Sequence, residues 1–358
     1  MRRRNLLIGV GALGLCGLGW RLSTGSRAGY DAAEAVSRDQ PAPKAGMVDL
    51  IRIAALAPSG HNAQPWRFRL GRGVVAIEPD AARRTPAVDP DDHHLHVSLG
   101  AAAETLAVAG PAFGRPGAVT VDPDGSLRYD FTEAPTRLPS ATLAILRRQS
   151  VRADYSAVAP PPVELDSLAR AARLPGVRLV LITDRPRLDR LAELSAEGAA
   201  RQFGDAAFRD ELLSWMRFSP RAALAAGDGL FAGAVGGPVV PQPLGRLLFQ
   251  AFATAAQESA RVRAQMAATP LAAVFFAEDP GPRGWAQVGR ALTRLTLAGT
   301  ERGLVSAHVN QAVEVEALRP ELAALAGEPG LRPDLVLRMG YGPEMPYSPR
   351  RPVTRILA

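Results

Sequence analysis

The sequence predicts an α+β fold in which two related halves of one chain pack together as a pseudo-dimer. Helical and strand-like patterns follow one another along the chain from residue 47 onward. In addition, Gly100–Gly110 and Gly289–Gly299 align without a gap and share both glycines and three apolar positions. Because a duplicated unit repeats its own pattern, this self-similarity indicates tandem half-repeats.

Composition places the chain among large globular proteins. It has 358 residues, of which 47% are hydrophobic and 22% are charged, enough to bury a sizeable core. The formal net charge is +7, but Lys44 is the only lysine and the arginines are scattered along the chain. No zinc-finger, helix-turn-helix or RNP-like spacing is present, so no nucleic-acid partner is expected.

The first residues resemble an export signal. Arg2, Arg3 and Arg4 precede an apolar run that ends at Trp20, and paired arginines in this position are similar to the twin-arginine motif. Residues 1–28 are therefore predicted to be a signal read by the twin-arginine export machinery, with an uncleaved membrane anchor as the alternative. Either interpretation makes the protein exported, in the periplasm or cell envelope. Cys16, the only cysteine, lies within this signal, so no disulfide is expected.

Residues 29–46 are polar and aperiodic and are predicted to be a linker. The first half then covers residues 47–135. Its periodicity predicts two helices and four short strands. The helices are Val48–Ala57 and Leu95–Ala109, and the strands are Trp66–Leu70, Val74–Ile77, Ala118–Val121 and Leu127–Phe131.

The second half covers residues 136–358 and carries an insertion at about 204–265. Residues 217–242 within the insertion are rich in glycine and proline, which is typical of a lid or binding loop. The helices predicted in this half are Ala141–Arg148, Val163–Ala172, Pro186–Gln202, Ala206–Met216, Leu244–Met266 and Arg283–Gly299. The strands are Val177–Ile182, Leu271–Ala277 and Leu335–Met339.

Two segments carry candidate binding groups. After the first helix, a loop interrupted by proline and glycine presents hydroxyl and amide groups that can donate and accept hydrogen bonds. Between residues 148 and 152, two arginines and a serine alternate, so all three can face one phosphate, which arginine binds bidentately. The candidates in these two segments are Pro58, Ser59, Gly60, His61, Asn62, Gln64, Arg148, Ser150 and Arg152.

These segments resemble the nitroreductase family. Residues 57–66 match its A-P-S-x-x-N-x-Q-P-W loop, and residues 148–152 match its R-x-S-x-R phosphate-binding segment. The resemblance extends to residues 303–311 and the C-terminal tail. It implies one bound FMN, with the ring against residues 58–64 and against His308, Val309 and Asn310, mainly their backbone. The phosphate would lie against Arg148, Ser150 and Arg152, together with Arg350, which fits best, or Arg351. It names no catalytic residue.

The order of these parts suggests one complete site per chain. In ordinary nitroreductases a single subunit carries the arginine segment first and the loop later, and dimerisation builds two sites. Here the first half has the loop without the arginines, and the second half has the arginines without the loop. This arrangement is similar to that of the Acg-type FMN-binding proteins, a branch of the family, over nearly all of residues 47–358. Further association into a homodimer is left open.

Two functions follow from the resemblance. The first is an FMN-dependent oxidoreductase that passes electrons to a small acceptor such as a nitroaromatic or a quinone. The alternative is a protein that stores or sequesters FMN under a lid with little turnover. The histidine-rich stretch 89–96 lacks the spacing of metal ligands and is interpreted as the polar start of a helix, so no metal is expected.

Overall fold

A computed structural model describes residues 20–42 and 45–358. The predicted twin-arginine motif and Cys16 lie outside the described residues. Within them, no helix is both long enough and apolar enough to cross a membrane.

The first described element corrects the linker prediction for residues 29–46. Helix α1 spans Arg27–Ser37, and the hydroxyl oxygen of Ser26 caps it by accepting the N–H of Gly29 at 3.2 Å. Tyr30 and Glu34 are buried, one turn apart on the same face. The stretch looked aperiodic because this face combines an aromatic residue with charged ones rather than showing an apolar stripe.

The first half contains an antiparallel sheet with strand order β1-β2-β4-β3. β1 and β2, both predicted as strands, form a hairpin in which Trp66 pairs with Pro79 and Gly71 with Val74. Helices α2 and α3 pack against the sheet around a buried core. The elements are α2 (Met47–Ala54), β1 (Trp66–Gly71), β2 (Val74–Pro79), α3 (His93–Ala109), β3 (Gly117–Val121) and β4 (Leu127–Phe131).

The second half contains an antiparallel sheet of order β5-β8-β10-β9. A short parallel pair, β6 and β7, lies in the insertion. The strands are β5 (Val177–Ile182), β6 (Met216–Arg217), β7 (Leu230–Phe231), β8 (Leu271–Ala277), β9 (Val305–His308) and β10 (Pro333–Gly340). The helices are α4 (Ser140–Arg147), α5 (Pro162–Ala172), α6 (Arg185–Gly204), α7 (Ala206–Trp215), α8 (Pro220–Ala226), α9 (Gln242–Phe252), α10 (Ala255–Ala267), α11 (Pro282–Glu301), α12 (Gln311–Glu314) and α13 (Arg319–Ala326).

Helices α3 and α11, which carry the aligned repeats, cross each other symmetrically. A Cβ added to Gly100 would lie 1.9 Å from the carbonyl oxygen of Ala286, and one added to Gly289 would lie 1.9 Å from that of Val97. Each glycine therefore sits over the residue three positions before its counterpart in the other helix. Only glycine permits so close an approach of two backbones. The crossing confirms the α+β fold built from two related halves.

Two segments of the second half lie against sheet edges, one in its own sheet and one in the sheet of the first half. The chain leaving α4 pairs with β9, where the N–H of Val151 donates to the carbonyl oxygen of Ser306 at 2.9 Å. The C-terminal tail returns to β1 of the first half, where the N–H of Phe68 donates to the carbonyl of Ile356 at 2.7 Å. This second contact brings the arginines of the tail to the loop of the first half.

The insertion is more regular than the sequence indicated. Residues 217–242 contain α8, β7 and a 3-10 turn, and the helix predicted over Leu244–Met266 is two helices, α9 and α10. The break has a local cause, because the hydroxyl of Thr254 accepts the N–H of Gln257 and caps α10. Strand β9 and helices α12 and α13 were not predicted, since each is too short to show a clear period.

Candidate functional site

Two adjoining cavities lie where the halves meet. The larger has a volume of about 550 Å³ and the smaller about 50 Å³. Because they share several lining residues, one ligand can extend from one into the other. The shared residues are Pro58, Ser59, His61, Arg152, Leu230, Val235 and His308.

The loop after α2 forms one wall of both cavities in a strained conformation. His61, Asn62 and Gln64 have φ values of 47°, 53° and 53°, a left-handed region that non-glycine residues adopt at a cost of about 1–3 kcal/mol each. Hydrogen bonds hold the loop there. The amide nitrogen of Asn62 donates to the carbonyl oxygens of Gly229 at 3.0 Å and Pro349 at 2.9 Å. The loop is therefore fixed by both the insertion and the C-terminal tail.

Four arginines line the smaller cavity, and three of them, Arg38, Arg148 and Arg350, come from three separate segments. Nη2 of Arg148 and Nη2 of Arg350 donate to the same carbonyl oxygen, that of Leu56, at 2.9 and 3.1 Å. Nη1 of Arg38 donates to the carbonyl oxygen of Leu146 at 3.0 Å. Among the described residues none of the three is within ion-pair distance of a carboxylate. Buried guanidinium groups that lack a carboxylate in direct contact mark a site for an anion.

The electrostatics of this cluster agree with that interpretation. Burial lowers the pKa of Arg148, and the positive charges of Arg350 and Arg38 lower it further. Burial likewise lowers the pKa values of Arg38 and Arg350. An anion bound among the three groups would remove this mutual repulsion, because an opposite charge nearby favours the charged form.

Helix α1 belongs to this site, although the sequence analysis placed it in a linker. The guanidinium carbon of Arg38 lies 3.7 Å from the centre of the Tyr347 ring, and the hydroxyl of Tyr30 donates to the carbonyl oxygen of Tyr347 at 2.6 Å. Burial raises the pKa of the Glu34 carboxyl to about 7, while Arg350 and Arg38 oppose the shift. The helix thus delivers one arginine and one titratable carboxyl to the cluster.

Ser150 and Arg152 lie where the two cavities meet. Ser150 lines the smaller cavity and pairs with Ser306 across the sheet edge. Arg152 lines both cavities, and the side chain of Gln265 donates to its carbonyl oxygen at 2.8 Å. Burial lowers the pKa of Arg152 to about 10, helped by the charges of Arg261 and Arg338. Arg152 thus places a positive charge between the smaller cavity and the larger one.

Two predicted site residues, Gln64 and Arg351, line neither cavity. Nη1 of Arg351 donates to the carbonyl oxygen of Gln64 at 3.0 Å, and Nη2 of Arg351 contacts Asp80 at 3.2 Å. The side-chain amide of Gln64 donates to the carbonyl oxygen of Gly227 at 2.9 Å and accepts the N–H of Arg351 at 2.9 Å. These two residues fasten the loop to the tail, and Arg350 is the tail arginine at the cavity.

Residues 308–310 form the opposite wall of the larger cavity. The N–H of Val309 donates to the carbonyl oxygen of Val336 at 2.9 Å, and the side-chain oxygen of Asn310 accepts the N–H of Val336 at 2.9 Å. Burial, followed by the charge of Arg152, lowers the pKa of His308 to about 3. His308 is therefore neutral near pH 7.

The rest of the larger cavity has an apolar side and a small polar side. The insertion supplies most of the apolar side through β6, α7, α9 and the chain around 230–238. The polar side includes His94, Gln202 and Glu314. As predicted, the residues before α3 form a polar helix start, since the carboxylate of Asp89 accepts the N–H groups of His94 and Leu95, both at 2.9 Å. Aromatic side chains on the apolar side are Phe203, Phe208, Phe218, Phe249 and Phe252.

Sequence reasoning missed Arg38 and the His94–Glu314 pair. Arg38 was detectable in principle, because Tyr30, Glu34 and Arg38 recur every four residues, as one face of a helix requires. Glu314 had no local signal. It lies more than two hundred residues from His94 in the chain and meets it only through the packing of the two halves.

Curated relatives of this chain are known by sequence, although no family model matches it. Two Mycobacterium tuberculosis proteins provisionally named NAD(P)H nitroreductases are similar over 321 residues. One is 28% identical, covering 86% of this chain and 90% of that protein. The other, acg, is 26% identical, covering 86% of this chain and 93% of that protein.

Solved nitroreductase structures align with part of this chain. The FMN-dependent nitroreductase NfnB from Mycobacterium smegmatis, in complex with NADPH, has a TM-score of 0.38 at 17% identity, over 57% of this chain and 87% of that chain. A Desulfitobacterium hafniense nitroreductase with bound FMN has a TM-score of 0.37 at 18% identity, over 60% of this chain and 95% of that chain. The sequence similarity to the two mycobacterial proteins, at 26% and 28% identity, extends along most of this chain.

Proposed function

We propose that this protein is an FMN-dependent oxidoreductase of the nitroreductase type with one FMN site per chain. The observation that carries the proposal is the cluster of buried arginines without carboxylate partners, which opens into a cavity of about 550 Å³. An anionic group attached to a large planar ring fits this combination of a small cationic cavity and a large, mostly apolar one.

The residues of the smaller cavity fit a phosphate monoester. Arg38, Arg148 and Arg350 each retain guanidinium N–H groups that no acceptor in the described residues occupies. Ser150 adds a hydroxyl at the same cavity. Planar guanidinium groups bind phosphate oxygens through paired, charge-assisted hydrogen bonds. This set would hold the FMN phosphate.

The larger cavity fits a ring system whose edge needs hydrogen bonds. Ser59 and Gly60 form its wall on one side, and residues 308–310 form the other. The neutral imidazoles of His61 and His308 add polar contacts without charge, since burial lowers their pKa values to about 4 and about 3. FMN would supply reversible two-electron chemistry here. The relatives' names suggest NAD(P)H as the electron donor.

Purified protein gives the direct test. It should be yellow and release about one FMN per chain on heating. After anaerobic reduction by dithionite, a nitroaromatic or a quinone should restore the oxidised flavin spectrum. A protein that neither contains nor takes up FMN contradicts the proposal. A bound flavin that no acceptor reoxidises contradicts the oxidoreductase activity and points to storage instead.

We also propose that the protein is exported through the twin-arginine route. Arg3 and Arg4 before the apolar run support this. A folded cofactor protein suits that route, because it must load FMN before transport. An Arg3→Lys, Arg4→Lys double variant should remain in the cytoplasm. Export of that variant at the wild-type level would contradict the proposal.

A further inference from the structure

The polar side of the larger cavity holds an imidazole–carboxylate pair that the proposed cofactor site does not use. Nε2 of His94 lies 3.4 Å from Oε1 of Glu314, and Oε2 of Glu314 accepts a hydrogen bond from the side-chain amide of Gln202 at 2.6 Å. Only 10% of the His94 side chain and 17% of the Glu314 side chain are exposed. All three residues line the cavity.

The pair lies between the two ring-binding segments. His94 is in the first turn of α3, next to the loop that contains Gly60. A Cβ added to Gly60 would lie 3.9 Å from the Cβ of His94. Glu314 ends α12, which follows residues 308–310 immediately, and its N–H donates to the carbonyl oxygen of Asn310 at 2.8 Å. One partner therefore comes from each half, next to the wall that half contributes.

We propose that His94 is the catalytic acid that protonates the electron acceptor in this cavity and that Glu314 is its positioning residue. The inference rests on the proposed oxidoreductase function. Glu314 fixes Nε2 of the imidazole, and Gln202 fixes Glu314. Within residues 20–42 and 45–358, no hydrogen bond occupies Nδ1 of His94. A bound acceptor can therefore take this second N–H, the arrangement that general acid catalysis requires.

The protonation states agree with this role. Burial lowers the pKa of His94, but its hydrogen bond with Glu314 and the nearby carboxylates more than offset that effect and raise the pKa above the usual value. His61 and His308, the other imidazoles of the described cavity wall, are neutral near pH 7. Of these three imidazoles, His94 is the one whose pKa is raised. The ionisable groups around it are Asp89, Asp91, Glu314, Asp334, His61, His93 and His308.

The step balances for a quinone acceptor. When bound and reduced, FMN would supply a hydride, equivalent to two electrons and one proton, for the first carbonyl oxygen of the quinone. His94 supplies the second proton to the other oxygen, and its N–H bond breaks as the new O–H bond forms. The product is a hydroquinone. The neutral imidazole then takes a proton from water at the cavity mouth, while Glu314 stays ionised throughout.

Two acceptors separate proton donation from electron transfer. Dithionite-reduced holoprotein is mixed in a stopped-flow instrument with 1,4-benzoquinone, which needs protons, or with ferricyanide, which takes single electrons and no proton. In His94→Gln, reoxidation by the quinone should slow by about 10²–10⁴-fold, whereas reoxidation by ferricyanide should keep its rate. His96→Gln is the matched control, since His96 is on the same helix but lines neither cavity.

Glu314→Gln gives a readout besides activity. Without the carboxylate, the His94 imidazolium is less stable, so its pKa measured by NMR should fall, and the pH profile of quinone reoxidation should move to lower pH by the same amount. If His94→Gln slows reoxidation equally with both acceptors, or slows it with neither, the acid role of His94 is contradicted. The proposed oxidoreductase function is not affected by that outcome. Wild-type protein that neither acceptor reoxidises contradicts the oxidoreductase function itself.

Discussion

Replacing Arg148 by alanine should weaken FMN binding through the phosphate alone. Arg148 is 5% exposed and lines the smaller cavity. Its Nη2 donates to the carbonyl oxygen of Leu56, while no acceptor in the described residues occupies its Nε or Nη1. Those two groups are free for the phosphate. Charge-assisted hydrogen bonds contribute about 1.5–3 kcal/mol, so the dissociation constant should rise by about 10- to 150-fold.

The same contacts predict that the variant still folds. The carbonyl oxygen of Leu56 keeps a donor after the substitution, because Nη2 of Arg350 lies 3.1 Å from it. The change also removes one of three neighbouring positive charges, and so relieves the repulsion that lowers the pKa of Arg148. The melting temperature of the flavin-free protein should therefore change little.

Flavin fluorescence titration measures this effect, with riboflavin as the ligand control because it lacks the phosphate. Arg148→Ala should weaken FMN binding and leave riboflavin binding unchanged. Arg147→Ala is the matched protein control, since Arg147 is the exposed neighbour at the end of α4. Unchanged FMN affinity in Arg148→Ala, or an equal loss for both flavins, would refute the placement of the phosphate at this arginine.

Three further predictions concern other parts of the fold. FMN affinity should fall as pH rises through about 7, because the ionised Glu34 neutralises the arginines that bind the phosphate. Glu34→Gln should flatten this profile, and an unchanged slope in pH-dependent titrations would exclude Glu34 as the cause. Gly289→Ala should lower the free energy of unfolding in urea by about 1–3 kcal/mol or more, since the new Cβ would lie 1.9 Å from the carbonyl oxygen of Val97. Gly204→Ala is the control, because a Cβ there would have no atom within 4 Å. Equal stability of the two variants would count against the close crossing of α3 and α11. Tyr30→Phe should lower the free energy of unfolding by about 0.5–1.5 kcal/mol, because it removes the hydrogen bond to the carbonyl oxygen of Tyr347. A melting temperature equal to that of the wild type would show that this contact does not anchor α1.

The sequence predicted those parts of the fold in which one local pattern determines the structure. The β1–β2 hairpin follows from alternation across a glycine turn, and the buried strand β8 from a continuous apolar run. The aligned glycines predicted the repeat from the sequence. The crossing of α3 and α11 then explains why residues 100 and 289 are both glycine. Such patterns can be detected in a single sequence because they depend on residues that are close together in the chain.

The remainder depended on contacts between distant residues. Helix α1 was missed because its buried face carries Tyr30, Glu34 and Arg38 rather than apolar residues, and those side chains are explained only by the cluster they join. Arg350 and Arg351 could not be separated by sequence, since they are adjacent. The structure places Arg350 at the cavity and Arg351 against Gln64. The partner of His94 was equally invisible, because Glu314 comes from the other half.

The most direct test of the central claim is a crystal structure of the protein with FMN bound. We predict that phosphate oxygens lie within hydrogen-bonding distance of Arg148 and Arg350, with Arg38 beside them and the ring in the larger cavity between Gly60 and Val309. A phosphate bound elsewhere, with these arginines facing only protein carbonyls and water, would contradict the account.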